Sequence, residues 1–158
     1  MAYDAHDDGR RDFHFLYGRW AVRHRKLAER GVGGDAWDEF DGVSFTQGLM
    51  DGLCNVEENH FEGGGQGVAF RSFDVANQVW SIHWVSSADG LVQPPVHGRF
   101  EDGVGVFLGD DVDGGRPVKV RFRWDAIAAG VARWTQAFSY DGGETWEENW
   151  VMSFTRTA

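Results

Sequence analysis

The sequence predicts an all-β fold: a single antiparallel up-and-down β-barrel of about ten strands, opened by a short N-terminal helical turn. Apolar and polar residues alternate with a period of two through most of the chain, and Gly- and Asp-rich breaks interrupt that alternation at short, even intervals. No window of helix length carries a sustained 3.6-residue apolar stripe. Many short strands with almost no helix leave a sandwich or a barrel, and closure favours the barrel because it removes exposed edges.

Each element follows in order. Residues 1–12 are polar and charged and are expected to fray as a flexible tail, leaving 13–158 as the barrel domain. Residues 13–17 are apolar and end at Gly18, which fits one helical turn. From Arg19 the period is two, with Trp20, Val22 and His24 alternating against Arg19, Arg23 and Arg25. Further strands are expected over 36–47, 51–61, 66–74, 78–87, 91–101, 104–110, 116–125, 131–140 and 145–156. The one weak helical candidate is 124–131, where Ala126, Ala128 and Ala129 fit a single turn before Gly130. There is no internal repeat and no linker, so one domain is expected. A ten-strand barrel is wide enough to leave an internal cavity, so the aromatic residues are expected both to plug its floor and to line a pocket.

Composition narrows the function. The chain has 158 residues, the size of one domain, with 15 Lys and Arg against 25 Asp and Glu, a net charge of −10. That disfavours nucleic acid, which needs a basic patch, and an anionic membrane surface. Hydrophobic residues at 42% exclude global disorder, and eight Trp and twelve Phe supply much of a core. A single cysteine, Cys54, rules out an internal disulfide. With no leader-like segment and no long apolar run, the expected location is the reducing cytoplasm.

Phe15-Leu16-Tyr17-Gly18-Arg19-Trp20 resembles the start of lipocalin-like barrels, a short turn followed by Gly-x-Trp opening the first strand. Trp80-Ser81-Ile82-His83-Trp84, Arg133-Trp134-Thr135-Gln136-Ala137-Phe138-Ser139 and Trp146-Glu147-Glu148-Asn149-Trp150 extend the likeness to calycin-type bacterial barrels of unknown function, from about Phe13 to Arg156. The resemblance implies that Trp20 plugs the closed end and that Arg156 packs across it. The disulfide and C-terminal helix of secreted lipocalins are missing and the strand count is nearer ten than eight, which counts against secretion and retinoid-type transport.

Several motifs have a structural rather than a chemical reading. Ser139-Tyr140-Asp141-Gly142-Gly143-Glu144-Thr145-Trp146 looks like an Asp-box; one copy makes a hairpin clasp, not a propeller or a glycosidase. Asp110, Asp111 and Asp113 lack the further ligands of a calcium loop and read as a solvated turn. The six histidines show no zinc spacing; Glu58 and His60 share a face but two ligands make no site, so no metal is expected. A haem-ligating histidine is left open, without any other signature of haem-binding barrels, and no cofactor is assigned. Cys54 reads as a small buried hydrophobe, and 63–67 as a hairpin loop rather than a phosphate cradle.

The polar content of the strands carries the functional reading. Residues 52–60 are unusually polar, with Asn55, Glu57 and Asn59 on one face and Cys54, Val56, Glu58 and His60 on the other. Which face points inward is open, since a one-residue slip reverses it. An inward Glu57 needs a partner, and His24, in phase with Trp20, and Arg71 on the next strand are the two candidates. Trp80, Ile82 and Trp84 share one face, as do Trp134, Gln136 and Phe138, and Trp146, Glu148 and Trp150; Gln136 and Glu148, each between two aromatics, read as polar anchors in an aromatic wall. Arg121, Arg123 and Arg133 are placed on the outer face.

The expected function is intracellular binding of a small, partly apolar, aromatic or polycyclic molecule, with His24, Asn55, Glu57, Arg71, Trp84, Trp134, Gln136, Phe138 and Glu148 as the binding residues. The alternative is a cofactor-free isomerase, cyclase or hydratase in the same cavity, with Glu57 or His24 as acid/base. A third reading is an interaction protein whose barrel is filled by its own side chains and whose binding face is an exposed apolar patch. A homodimer is compatible with all three.

Overall fold

The alternation of the sequence closes into a ring in the computed structural model, which describes residues 9–158. Ten strands run β1 (Gly18–Leu27), β2 (Trp37–Leu49), β3 (Cys54–Phe61), β4 (Gln66–Asp74), β5 (Val79–Ser86), β6 (Val96–Glu101), β7 (Val104–Asp113), β8 (Arg116–Ala128), β9 (Val131–Ser139) and β10 (Glu147–Arg156). Each pairs antiparallel with its neighbour in sequence, and β1 pairs with β10 to close the barrel. No edge strand is left among the described residues, which is the reason a barrel rather than a sandwich was expected.

The strand phase is now settled. Trp20, Val22 and His24 face inward on β1, and Arg19, Arg23 and Arg25 face out. Asn55, Glu57 and Asn59 face inward on β3, with Glu58 and His60 on the outside. Arg123 and Arg133 lie outside as expected, both clasping Asp125 at 2.8–3.0 Å.

A short 3-10 turn, His14–Leu16, drives Phe13 and Leu16 into one end of the barrel. Phe13 meets Trp80 and Phe100 edge-on at 4.9 and 5.1 Å between ring centres. Gly18 then turns the chain into β1 at φ +113°, a conformation that only glycine adopts cheaply, and a Cβ there would lie 2.6 Å from the Arg156 guanidinium. The end is sealed as the Gly-x-Trp resemblance implies. Trp20 donates its indole N–H to the Leu16 carbonyl at 2.8 Å, Arg156 lies 4.2 Å over the Trp20 ring, and Arg156 donates to the carbonyls of Phe15 and Tyr17.

Several boundaries differ from the sequence reading. Residues 1–8 of the expected tail lie outside the described residues. Gly9–Arg11 form a 3-10 turn, and Trp80 donates to the Gly9 carbonyl, so order begins earlier than expected. The helical turn expected over 124–131 is absent: β8 continues to Ala128 through a bulge between Asp125 and Ala128, with Ala126 at φ +50°. One helical turn leaves most of its backbone groups unpaired, whereas the bulged strand keeps its ladder to β9. The strand expected over 91–101 begins only at Val96, since Pro94 and Pro95 carry no N–H for the ladder.

Candidate functional site

The barrel interior is divided between an apolar side and a polar side. Inward residues of β2 and β3 (Ser44, Thr46, Asn55, Glu57 and Asn59) are all buried and stand next to one another in register, Thr46 beside Glu57 and Ser44 beside Asn59. Arg71 on β4 is the buried partner of Glu57. One of its terminal nitrogens donates to Glu57 Oε1 and the other to Asn55 Oδ1, both at 2.8 Å, while Asn59 Nδ2 donates to Glu57 Oε2 at 2.8 Å. The guanidinium carbon lies 4.8 Å from the centre of the Phe13 ring, so the pair rests on the plug. A buried carboxylate is stable here because a bidentate-capable cation and an amide satisfy it together.

Above this set lies a narrow cavity of about 40 Å³, lined by Glu57, Ala69, Trp84, Phe122, Trp124, Trp134, Gln136, Trp150 and Met152. The walls interlock edge to face: Trp134 on Trp150 at 5.3 Å, Trp84 on Trp150 at 5.8 Å and Phe122 on Trp134 at 5.0 Å. The space is enough for about three or four waters, at roughly 10–15 Å³ for each. Trp84 is only half-buried and its ring lies flat against Gly67, where a Cβ would sit 2.1 Å away.

The candidate residues do not all meet at the cavity. Glu57, Trp84, Trp134 and Gln136 line the cavity, and Asn55 and Arg71 stand behind Glu57. His24 belongs to a separate cluster. It stacks on Phe40 at 4.7 Å, meets Phe61 edge-on, and its Nδ1 accepts the Trp150 indole N–H at 3.1 Å. Since indole only donates, Nδ1 is bare and the ring is neutral. Burial, with a smaller contribution from Lys26, pushes the imidazole down to about 4. Phe138 is buried above the cavity without lining it, 5.5 Å from the Arg30 guanidinium.

Glu148 is corrected: it is exposed on the outer surface. A bulge between Glu148 and Trp150 breaks the period of two, so Trp146, Glu148 and Trp150 do not share a face and Asn149 turns inward instead. Asn149 Oδ1 accepts from Gln136 Nε2 at 2.7 Å. Asn149 was missed because no residue in 147–150 announces a bulge. Thr46 and Ser44 were missed because short hydroxyl residues on a strand read the same inside or out.

Among the described residues, seven buried polar atoms of this interior have no hydrogen-bond partner: Ser44 Oγ, Thr46 Oγ1, Asn55 Nδ2, Asn59 Oδ1, Arg71 Nε, Trp124 Nε1 and Asn149 Nδ2. Each such group costs about 1–3 kcal/mol if left unpaired. No group of three or more His, Cys, Asp or Glu able to hold a metal occurs among the described residues, and no helix among them is long and apolar enough to cross a membrane.

The open end is strapped. The loop between β1 and β2 reaches across the mouth, where Arg30 pairs with Asp113 of β7 at 2.9 Å, the Gly31 N–H donates to Glu147 at 2.8 Å, and the Gly31 carbonyl accepts from Arg116. Tyr140 donates its hydroxyl to Asp113 at 2.7 Å, and desolvation with the Asp113 charge pushes that phenol up to about 12. The Asp-box closes as a hairpin clasp: Asp141 accepts from the Thr145 hydroxyl first, then from the Thr145 backbone N–H, the Ser139 hydroxyl and the Glu144 N–H, and these bonds hold its carboxyl down to about 2.

Fold and site define a closed ten-stranded antiparallel barrel, consistent with the lipocalin-like resemblance, with a buried ion pair beneath an aromatic chamber. Compared with protein-family models and with curated proteins, the chain matches none.

Proposed function

We propose that the protein is a calycin-type barrel that binds one small, neutral, partly apolar molecule in the chamber above Glu57. The observation that carries this is the pairing of tryptophan walls with unmet polar capacity. The lining includes the Glu57 carboxylate, an acceptor, and Trp124, whose indole N–H has no partner. A hydroxyl or primary amide on a single ring complements both. Neutrality follows from charge: Glu57 and Arg71 already balance, and a further buried charge would be uncompensated.

The ligand is small because the chamber is small. About 40 Å³ is well below the roughly 150 Å³ of an engineered cavity that takes benzene. Trp84, Phe122 and Gln136 are the half-buried members of the lining, so binding of a ring is coupled to movement of these walls. A polycyclic ligand would have to displace several walls at once. The free, buried Cys54 and the −10 charge fit a reducing cytoplasmic setting with no nucleic-acid or anionic-membrane partner.

The alternative is a cofactor-free isomerase, cyclase or hydratase with Glu57 as acid/base. It is supported by the same carboxylate on the cavity wall, although both its oxygens already accept hydrogen bonds. His24 is neutral at physiological pH and fits an acceptor role, not a donor of protons from the imidazolium.

The test is a titration of tryptophan fluorescence with phenol, indole and benzamide, on the native protein and on Glu57→Gln and Trp84→Ala. Saturable binding that weakens about tenfold or more in Glu57→Gln is expected, one lost charge-assisted hydrogen bond being worth about 1.5–3 kcal/mol. Affinity unchanged in both variants would show that binding is elsewhere. Conversion of a bound compound, lost in Glu57→Gln with affinity kept, would establish the enzyme.

A further inference from the structure

We infer that the outer face of β1 to β3 docks a second copy of this chain, giving a two-fold dimer centred on Phe45. On β2 the face carries Val43, at 58% of full exposure, beside half-buried Phe45, while the exposed Val68 and Phe70 of β4 lie beyond Glu58, outside it. A shallow depression lies over it, lined by Arg19, Val43, Phe45, Glu58 and His60 among others.

Charge selects the occupant. A chain of net charge −10 repels its own copy at long range, so self-association needs a face with local cations. The register supplies one: Arg19, Phe45 and Glu58 lie side by side on β1, β2 and β3. Arg19 rests 4.6 Å from the Phe45 ring centre and forms no ion pair among the described residues. Glu58 has only His60, at 3.9 Å. Arg25 and Arg121 likewise rest on rings, over Trp37 and Trp146, while Arg23 pairs with Asp41 and Arg123 and Arg133 pair with Asp125; what sets Arg19 apart is the ring and the carboxylate that follow it in one row across β2 and β3.

A row reading cation, ring, anion is complementary to itself about one axis. With the two-fold parallel to β2 through Phe45, each Arg19 faces the other copy's Glu58, and the Phe45 and Val43 side chains meet their own equivalents. With the axis across the strands, Arg19 would face Arg19 and Glu58 would face Glu58, so that arrangement is excluded by repulsion. Three strands at the usual ~4.8 Å spacing span only about 10 Å, so the interface falls in the small, weak class and dimerisation depends on concentration.

The experiment is light scattering after size exclusion over a concentration series, on the full chain and on Arg19→Glu, Glu58→Arg and the double reversal. The native chain is expected to rise from 17.7 kDa toward twice that mass. Each single reversal places like charges together and is expected to weaken the dimer at least about tenfold, while the double reversal restores it. Both sites are exposed and unconnected to the core, and circular dichroism confirms that each variant is folded. A native chain that stays at 17.7 kDa throughout, a dimer indifferent to either single reversal, or a double reversal that fails to restore it overturns the proposal.

Discussion

Arg71 grips Glu57 and Asn55 together, one terminal nitrogen on each at 2.8 Å, in a barrel interior where all three side chains are buried. Removing one member leaves the other charge stranded. Arg71→Met is therefore expected to destabilise the protein by about 3–5 kcal/mol in urea unfolding. Pairing it with Glu57→Gln removes the stranded charge, so the double variant is expected to lose less than the sum of the single losses. Strict additivity would show that the two side chains do not act as a pair.

His24 makes stability depend on acid. Its folded value of about 4 lies below the ordinary 6.5, so the unfolded chain takes the proton first as pH falls. Stability from this group is complete above pH 6.5 and declines between 6.5 and 4, by about 3 kcal/mol, flattening below. His24→Asn is expected to be less stable at neutral pH but to lose that part of the slope. A slope unchanged in His24→Asn assigns the acid sensitivity to other groups.

Gly67 sets the position of Trp84. A Cβ there would come within 2.1 Å of the indole, so Gly67→Ala forces Trp84 outward. Because Trp84 is half-buried and able to move, the expected stability loss is modest, about 1–3 kcal/mol, as for overpacking elsewhere. Near-ultraviolet circular dichroism is expected to report the moved ring. Unaltered spectra would mean that Trp84 is already free of Gly67.

Much of this architecture was legible in the residues. The period of two, broken at glycines, marked all ten strands, because an inward-facing strand of a barrel must alternate. Asn55, Glu57 and Asn59 stood out because three polar residues at that period need either water or one another. The pairing of Glu57 with Arg71 rather than His24 was not legible, since it depends on which side chain stands at the right depth on the adjacent strand. Glu148 was placed inside because bulges leave no mark in the alternation until one residue too many has been counted. The tightness of the chamber was also hidden. Sequence shows how many rings there are, but not how closely they interlock.

The strap over the mouth depends on Asp113, which serves Arg30 and Tyr140 at once. Asp113→Asn removes the ionic half of that contact while keeping its size. Amide hydrogen exchange over residues 28–36 is expected to quicken severalfold, with the β1 core amides unchanged, since strap opening is a local event. The contact is part-exposed, so a global stability change below about 1 kcal/mol is expected. Unchanged exchange in the loop would show that other contacts hold the strap.

The central claim is that the chamber above Glu57 holds a guest. Native mass spectrometry of the freshly purified protein, compared with the same sample denatured, addresses it most directly. The account predicts a small excess over 17.7 kDa that denaturation releases, reduced or absent in Glu57→Gln. A clean 17.7 kDa species that also takes up none of the small neutral aromatics would contradict it, leaving a barrel closed by its own side chains.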